Sequence, residues 1–167
     1  MSSTDDLIRV ASSLSQKERA QIIAALPEKE RKKLEEEAHE VTKNLPWIPN
    51  PGPQTDAYLS EADILLYGGQ AGGGKSHLGV GLAVNLFENS IIFRRELAQT
   101  DGLERDGKII IGKAAGFNGQ DREWSWPGGK TLKLGGMQTA NSWIGHAGRE
   151  RDYMNFDEGG EFLEIQV

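Results

Sequence analysis

Cysteine is absent from this 167-residue chain. That one absence removes disulfides, thiol nucleophiles, iron–sulfur clusters and cysteine-type zinc sites together. Histidine is scarce, and His39, His77 and His146 stand far apart with no ligand spacing between them. No apolar run approaches the ~20 residues that cross a bilayer. The opening Met-Ser-Ser-Thr-Asp-Asp has neither the basic nor the apolar region of a secretory signal. A soluble, cytoplasmic protein with no membrane partner is the expectation. Positive charge is also in short supply: 19 Lys and Arg against 25 Asp and Glu leave a net charge of −6. That balance argues against a chain that coats nucleic acid with cations, although a local patch could still grip it. The 37% hydrophobic and 26% charged shares fit one modest folded domain with a small appendage.

Glycine, by contrast, is abundant, with 21 residues, roughly twice the usual share. Its placement is informative once the chain is divided. Residues 1–43 read as helical. Leu7, Val10, Ala11 and Leu14 recur at helical spacing, and Ser15 with Glu18 forms a capping-box pattern before Ile22, Ile23 and Leu26. Pro27 suits the first turn of a third helix whose apolar face, Leu34, Ala38 and Val41, is thin. Two readings stand: a solvated helical appendage, or a docking module for a partner protein, since such short helices bury little alone. Residues 44–58 are a proline-rich linker. Pro46, Pro49, Pro51 and Pro53 predict extended chain as far as Thr55, with Trp47 anchoring it to a domain surface.

Residues 59–167 alternate strand and helix patterns, which predicts an α/β fold with a parallel sheet. Asp63–Tyr67 reads as a buried strand and Lys75–Phe87 as a mostly apolar helix. Ser90–Arg95 reads as a second strand, and residues 97–113 as helix broken near Gly102 or Gly107. Glu123–Leu134 reads as a β-hairpin, with Trp124 and Trp126 on one face of its first strand and Leu132 and Leu134 on one face of its second. Tyr153–Phe156 is a last short strand.

Between the first strand and first helix of this region lies Gly69-Gln70-Ala71-Gly72-Gly73-Gly74-Lys75-Ser76, which satisfies G-x-x-x-x-G-K-[ST] in the context that motif requires. Its glycines let backbone N–H groups converge on a polyphosphate, and the helix that follows adds its positive end. Lys75 supplies a mobile positive charge for the terminal phosphates, and the Ser76 hydroxyl can ligate Mg²⁺. Far downstream, Tyr153–Phe156 ends in Asp157-Glu158. There one carboxylate can hold the metal's water shell and the next can act as general base on the attacking water. Arg94, Arg95, Arg149 and Arg151 are candidates for stabilising charge on the transferred phosphate, Arg149 foremost. The alternative for each is a solvated arginine, or one paired with Glu150 or Asp152. Gln54 can read an adenine edge or be a solvated linker residue.

In order along Trp47–Phe162, this series resembles the large subunit of tailed-bacteriophage terminases, the motors that package DNA into empty capsids. The resemblance runs through Pro51-Gly52-Pro53-Gln54, Leu65 to Ser76, Ile92-Phe93-Arg94-Arg95 and Trp126-Pro127-Gly128-Gly129. It continues through Gly148-Arg149 to Phe156-Asp157-Glu158-Gly159-Gly160-Glu161-Phe162. It implies a P-loop NTPase of the RecA-like (ASCE) class with ATP and Mg²⁺ as cofactors. Residues 69–76 would be the Walker A loop, Asp157 the Walker B aspartate and Glu158 the catalytic glutamate. Gln54 would contact adenine, and Arg149 stands near the position of an arginine finger that serves a neighbouring subunit. The implied partners are double-stranded DNA, a small terminase subunit, the capsid portal and further copies in a ring, in the cytoplasm of a bacterial host. Two departures matter. Residues 69–74 contain no arginine, so a later or trans-acting one is needed. The family's coupling motif and nuclease domain have no counterpart, and the expectation is a sheet left incomplete after the Asp157 strand, with no strand between it and Asp63–Tyr67. Whether this chain alone hydrolyses ATP or only binds it is left open by the sequence, and DNA cleavage by it is not expected. Two other readings remain: a helicase-like or AAA-type P-loop ATPase, and a remnant that binds nucleotide or a partner without turnover.

Overall fold

A computed structural model describes residues 16–69, Gly72 and residues 74–162. The readings at Leu7, Val10, Ala11, Leu14 and Ser15 fall outside these residues. The chain divides into two compact units, Met1–Leu45 and Pro46–Val167. The first contains α1 (Gln16–Ala25) and α2 (Glu28–Thr42). The Pro27 carbonyl accepts hydrogen bonds from the Glu30 and Arg31 amides at 2.9 and 3.0 Å. The proline therefore stands just ahead of α2, where its missing N–H breaks no helical hydrogen bond. Glu28 and Lys32 pair across one turn at 3.2 Å, an exposed contact worth a few tenths of a kcal/mol (roughly 0.3–0.5). Ile22 of α1 is half exposed.

The second unit opens with an irregular stretch and then α3 (Pro53–Tyr58). The extended conformation expected through Thr55 thus stops short of it, with Pro53, Gln54 and Thr55 already helical. Pro53 fixes φ at a helical value and sits where no intrahelical donor is needed, so it starts a helix. Trp47 does anchor this stretch. Its ring lies over Gly81 so closely that a Cβ there would come within 2.2 Å of it, and its carbonyl accepts from Asn85 Nδ2 at 2.7 Å.

There follow α4 (Lys75–Leu86), β1 (Asn89–Arg94), a 3-10 turn (Leu97–Thr100), α5 (Asp101–Ile111), β2 (Gly116–Asn118), β3 (Glu123–Ser125), β4 (Thr131–Gly136) and β5 (Tyr153–Phe156). The strands form one sheet in the order β2-β3-β4-β1-β5. β4, β1 and β5 run parallel, whereas β2, β3 and β4 are antiparallel. The fold is therefore α/β, as expected, but its sheet is mixed. The predicted hairpin is part of the sheet itself, because its second strand is the direct neighbour of β1. The residue pattern explains this: Ser90↔Leu132 and Ile92↔Leu134 are in register, so Leu132 and Leu134 join Ile92 in a core that α4 and α5 cover. Val80, Ala83 and Val84 of α4, Leu103 and Ile111 of α5 and Trp124 of β3 complete it. α5 runs unbroken through Gly102 and Gly107. Gly107 is where the Trp124 ring enters, since a Cβ there would lie 2.6 Å from it. On the opposite face, Ile91, Phe93 and Met137 are buried with Phe156 and Phe162 against them.

One expected strand is missing. Asp63–Tyr67 does not join the sheet, and Ile64 and Leu66 are 90% and 97% exposed. A strand needs a neighbour about 4.8 Å away to satisfy its amides. Instead, a cavity of about 790 Å³ separates residues 61–69 from β5, so the ladder cannot form.

Candidate functional site

Parallel pairing of β5 with β1 places the C-terminal ends of both strands together, and the start of α4 meets them. The Ser76 hydroxyl donates to Asp157 Oδ2 at 2.9 Å, joining residues 81 apart in sequence. Arg94 Nη2 reaches the same oxygen at 2.7 Å, and the Asp157 amide donates to the Phe93 carbonyl at 3.0 Å. Asp157 is only 5% exposed, so its charge would be costly without these partners. The cluster holds two hard oxygen donors, a hydroxyl and a carboxylate, of the type Mg²⁺ takes alongside phosphate oxygens. Among the described residues no group of three or more His, Asp or Glu forms a metal cage.

The loop leading into α4 is shaped by its glycines. Gly74 caps the helix at φ +71°, and a Cβ there would lie 2.2 Å from Gln54 Nε2. The backbone angle favours glycine, and any side chain there would push Gln54 Nε2 out of its present place. Gly69 and Gly72 also have positive φ. The Lys75 ammonium donates to the Gly69 carbonyl at 3.2 Å, drawn across the loop. The positions assigned to Gln70, Ala71 and Gly73 lie outside the described residues.

Gln54 is buried, and both ends of its amide are engaged: Oε1 accepts from the Asn50 amide and Nε2 donates to the Gly74 carbonyl, each at 2.8 Å. In this state the side chain fastens the stretch before α3 to the phosphate loop. Gln54→Ala should leave that carbonyl and amide short of a partner and lower stability by about 1–3 kcal/mol. Urea unfolding checks this, and a loss below about 0.5 kcal/mol would remove the fastening role.

Glu158 follows directly, exposed, with φ 58° and ψ 51°. A non-glycine residue in this left-handed conformation costs roughly 1 kcal/mol. The conformation ends β5 and starts the turn in which the Glu161 amide donates to the Glu158 carbonyl at 2.9 Å. Arg95 Nη1 ties that turn down through the Glu161 carbonyl at 2.8 Å. Lys75, Asp157 and Glu158 are among the residues that line the 790 Å³ cavity. Tyr153 lines it too, and burial pushes its phenol up to about 12, so it is a neutral donor and acceptor, stacked on Phe87 at 4.7 Å.

The four arginines separate clearly. Arg149 is exposed in the connection before β5, and its charge helps burial lower the His146 pKa. Arg151 reaches the Ser90 carbonyl and Thr131 hydroxyl at 3.4 and 3.5 Å, and the Asp152 carboxylate accepts from the Glu88 and Asn89 amides. Both residues therefore lock β1 to its neighbours. Arg94 is the arginine that joins Ser76 and Asp157. The signal was in the sequence: Arg94 follows Phe93 as Asp157 follows Phe156, and parallel strands in register bring such equivalents together.

No family model, no curated protein and no solved structure matches this chain.

Proposed function

We propose that residues 69–76 bind Mg·ATP and that the chain acts as the ATPase part of a DNA-packaging motor of the terminase large-subunit type. The observation that carries this reading is the 2.9 Å bond from Ser76 to Asp157. The two residues singled out as metal-side partners, from separate motifs, meet at the mouth of the loop. In this reading Lys75 exchanges the Gly69 carbonyl for the β- and γ-phosphate oxygens. Ser76 and Asp157 hold the Mg²⁺ side, and the ion supplies charge neutralisation on those oxygens. Glu158 accepts the proton of the water that attacks the γ-phosphorus, releasing ADP and inorganic phosphate. Arg149, exposed on its loop, serves a neighbouring subunit of a ring. Gln54 meets adenine if it releases Asn50 or Gly74. Double-stranded DNA, a small terminase subunit and the capsid portal are the partners that the resemblance supplies, in the cytoplasm of a bacterial host. Among the described residues no helix is long and apolar enough to cross a membrane.

A second reading, binding without turnover, has a specific observation in its favour. The segment that leads into the loop stands outside the sheet, so Gly69 is not braced against β5, and positioning errors near 1 Å cost about 100-fold in rate.

Calorimetric titration with Mg·ATP tests the shared premise. The wild type should give saturable heat, and Lys75→Ala should bind about 100-fold more weakly, the size of one or two lost charge-assisted hydrogen bonds. No heat from folded wild type overturns both readings. Phosphate release then separates turnover from binding alone.

A further inference from the structure

We propose that Arg94 is an internal counter-ion that occupies Asp157 Oδ2 in the metal-free chain and competes with a divalent cation for that carboxylate. The inference rests on the reading of Ser76 and Asp157 as the metal-side pair. Three observations point to it. Ser76 Oγ and Arg94 Nη2 both address Oδ2, at 2.9 and 2.7 Å, and one carboxylate oxygen has about two acceptor sites. That oxygen is therefore full, so a metal-bound water or ion that uses Oδ2 has to displace one partner. Ser76 can keep its hydrogen on Asp157 while turning a lone pair to the ion, so the partner that leaves is Arg94. Second, Asp157 is 5% exposed, so solvent does not supply its counter-charge when no metal is bound. Third, Arg94 Nε is buried with no hydrogen-bond partner among the described residues. The guanidinium is thus incompletely satisfied where it stands. Its present place suits a group that gives way more than one fixed for stability.

Arg95 provides the internal control. It adjoins Arg94 and carries the same charge, but its described hydrogen bond is to the Glu161 carbonyl at 2.8 Å. A diffuse field from the local positive charge would draw on both arginines, whereas direct occupation of Asp157 concerns Arg94 alone.

The test measures Mn²⁺ binding to the nucleotide-free chain by the loss of the free-ion paramagnetic signal. Arg94→Met should bind Mn²⁺ about tenfold more tightly than wild type, comparable with the effect of one opposite charge within ~4–6 Å on a carboxylate's proton affinity. Arg95→Met should stay within about twofold, and adding Asp157→Asn to Arg94→Met should abolish the gain. If the methionine variant does not fold, Arg94→Lys carries the test. A single ammonium on a shorter stem reaches Asp157 less well, and the affinity should rise about threefold. Equal gains from both arginines, or weaker Mn²⁺ binding in the Arg94 variant, would show a field effect or a positioning role and overturn the proposal. Mg·ATP titration of the wild type runs beside it. Nucleotide binding with unchanged Mn²⁺ affinity removes only the role of Arg94, whereas absence of nucleotide binding removes the functional reading and this one with it.

Discussion

Glu158→Gln should bind Mg·ATP within about threefold of wild type and release phosphate about 10²–10⁴-fold more slowly, the usual contribution of a positioned general base. The substitution keeps the size and shape of the side chain and removes only its capacity to take a proton. Glu158 makes no contact with Ser76, Asp157 or Arg94 that any described hydrogen bond or ion pair records, so the binding cluster should be undisturbed. Its backbone conformation, φ 58°, is held by the following turn, and glutamine is tolerated there about as well as glutamate. Stopped-flow detection of phosphate, read beside calorimetry, gives the two quantities separately. Turnover within tenfold of wild type would remove Glu158 as the base. Tight binding with no turnover in either protein would favour the reading of a nucleotide-binding chain without hydrolysis.

The local features of this protein were legible in its sequence because they depend on local chemistry. The Gly69–Ser76 loop, the helix after it and the strand that ends in Asp157 follow from glycine spacing, apolar periodicity and position, and the described parts agree. What could not be read depends on pairing between distant segments. Asp63–Tyr67 has the composition of a buried strand, but composition does not supply the neighbour that a buried strand needs. With a cavity where that neighbour would stand, its apolar residues face solvent. β2 was missed because Gly116–Asn118 is three residues long and carries no alternation. A glycine costs a helix roughly 1 kcal/mol, which is what makes a break near Gly102 or Gly107 the sequence expectation. The structure shows the tertiary term that offsets it, the indole of Trp124 packed where a side chain would be. Gln54 is the converse case. The solvated linker residue that its neighbours in sequence suggest is buried, and its amide meets Asn50 and Gly74 of its own chain.

The same contact sets the largest expected effect on stability. Trp124→Ala should destabilise the second unit by about 3–5 kcal/mol, the range for truncating a large buried aromatic side chain. Against total stabilities of about 5–15 kcal/mol, that leaves little margin. Trp124 is 2% exposed and pairs with Leu132 across β3 and β4. It also packs on Phe117 at a ring separation of 4.5 Å, so it joins the antiparallel half of the sheet to α5. Gly107 makes the claim sharper than a single loss of stability. In the wild type, Gly107→Ala drives a methyl to 2.6 Å from the ring, an overpacking that costs about 1–3 kcal/mol. Once Trp124 is alanine that obstacle is gone, and the same substitution should stabilise by up to about 1 kcal/mol through helix propensity. Urea unfolding of the four chains in a double-mutant cycle reads the sign directly. If Gly107→Ala destabilises equally in both backgrounds, glycine is required there for another reason, and the indole is not what holds α5 to the sheet.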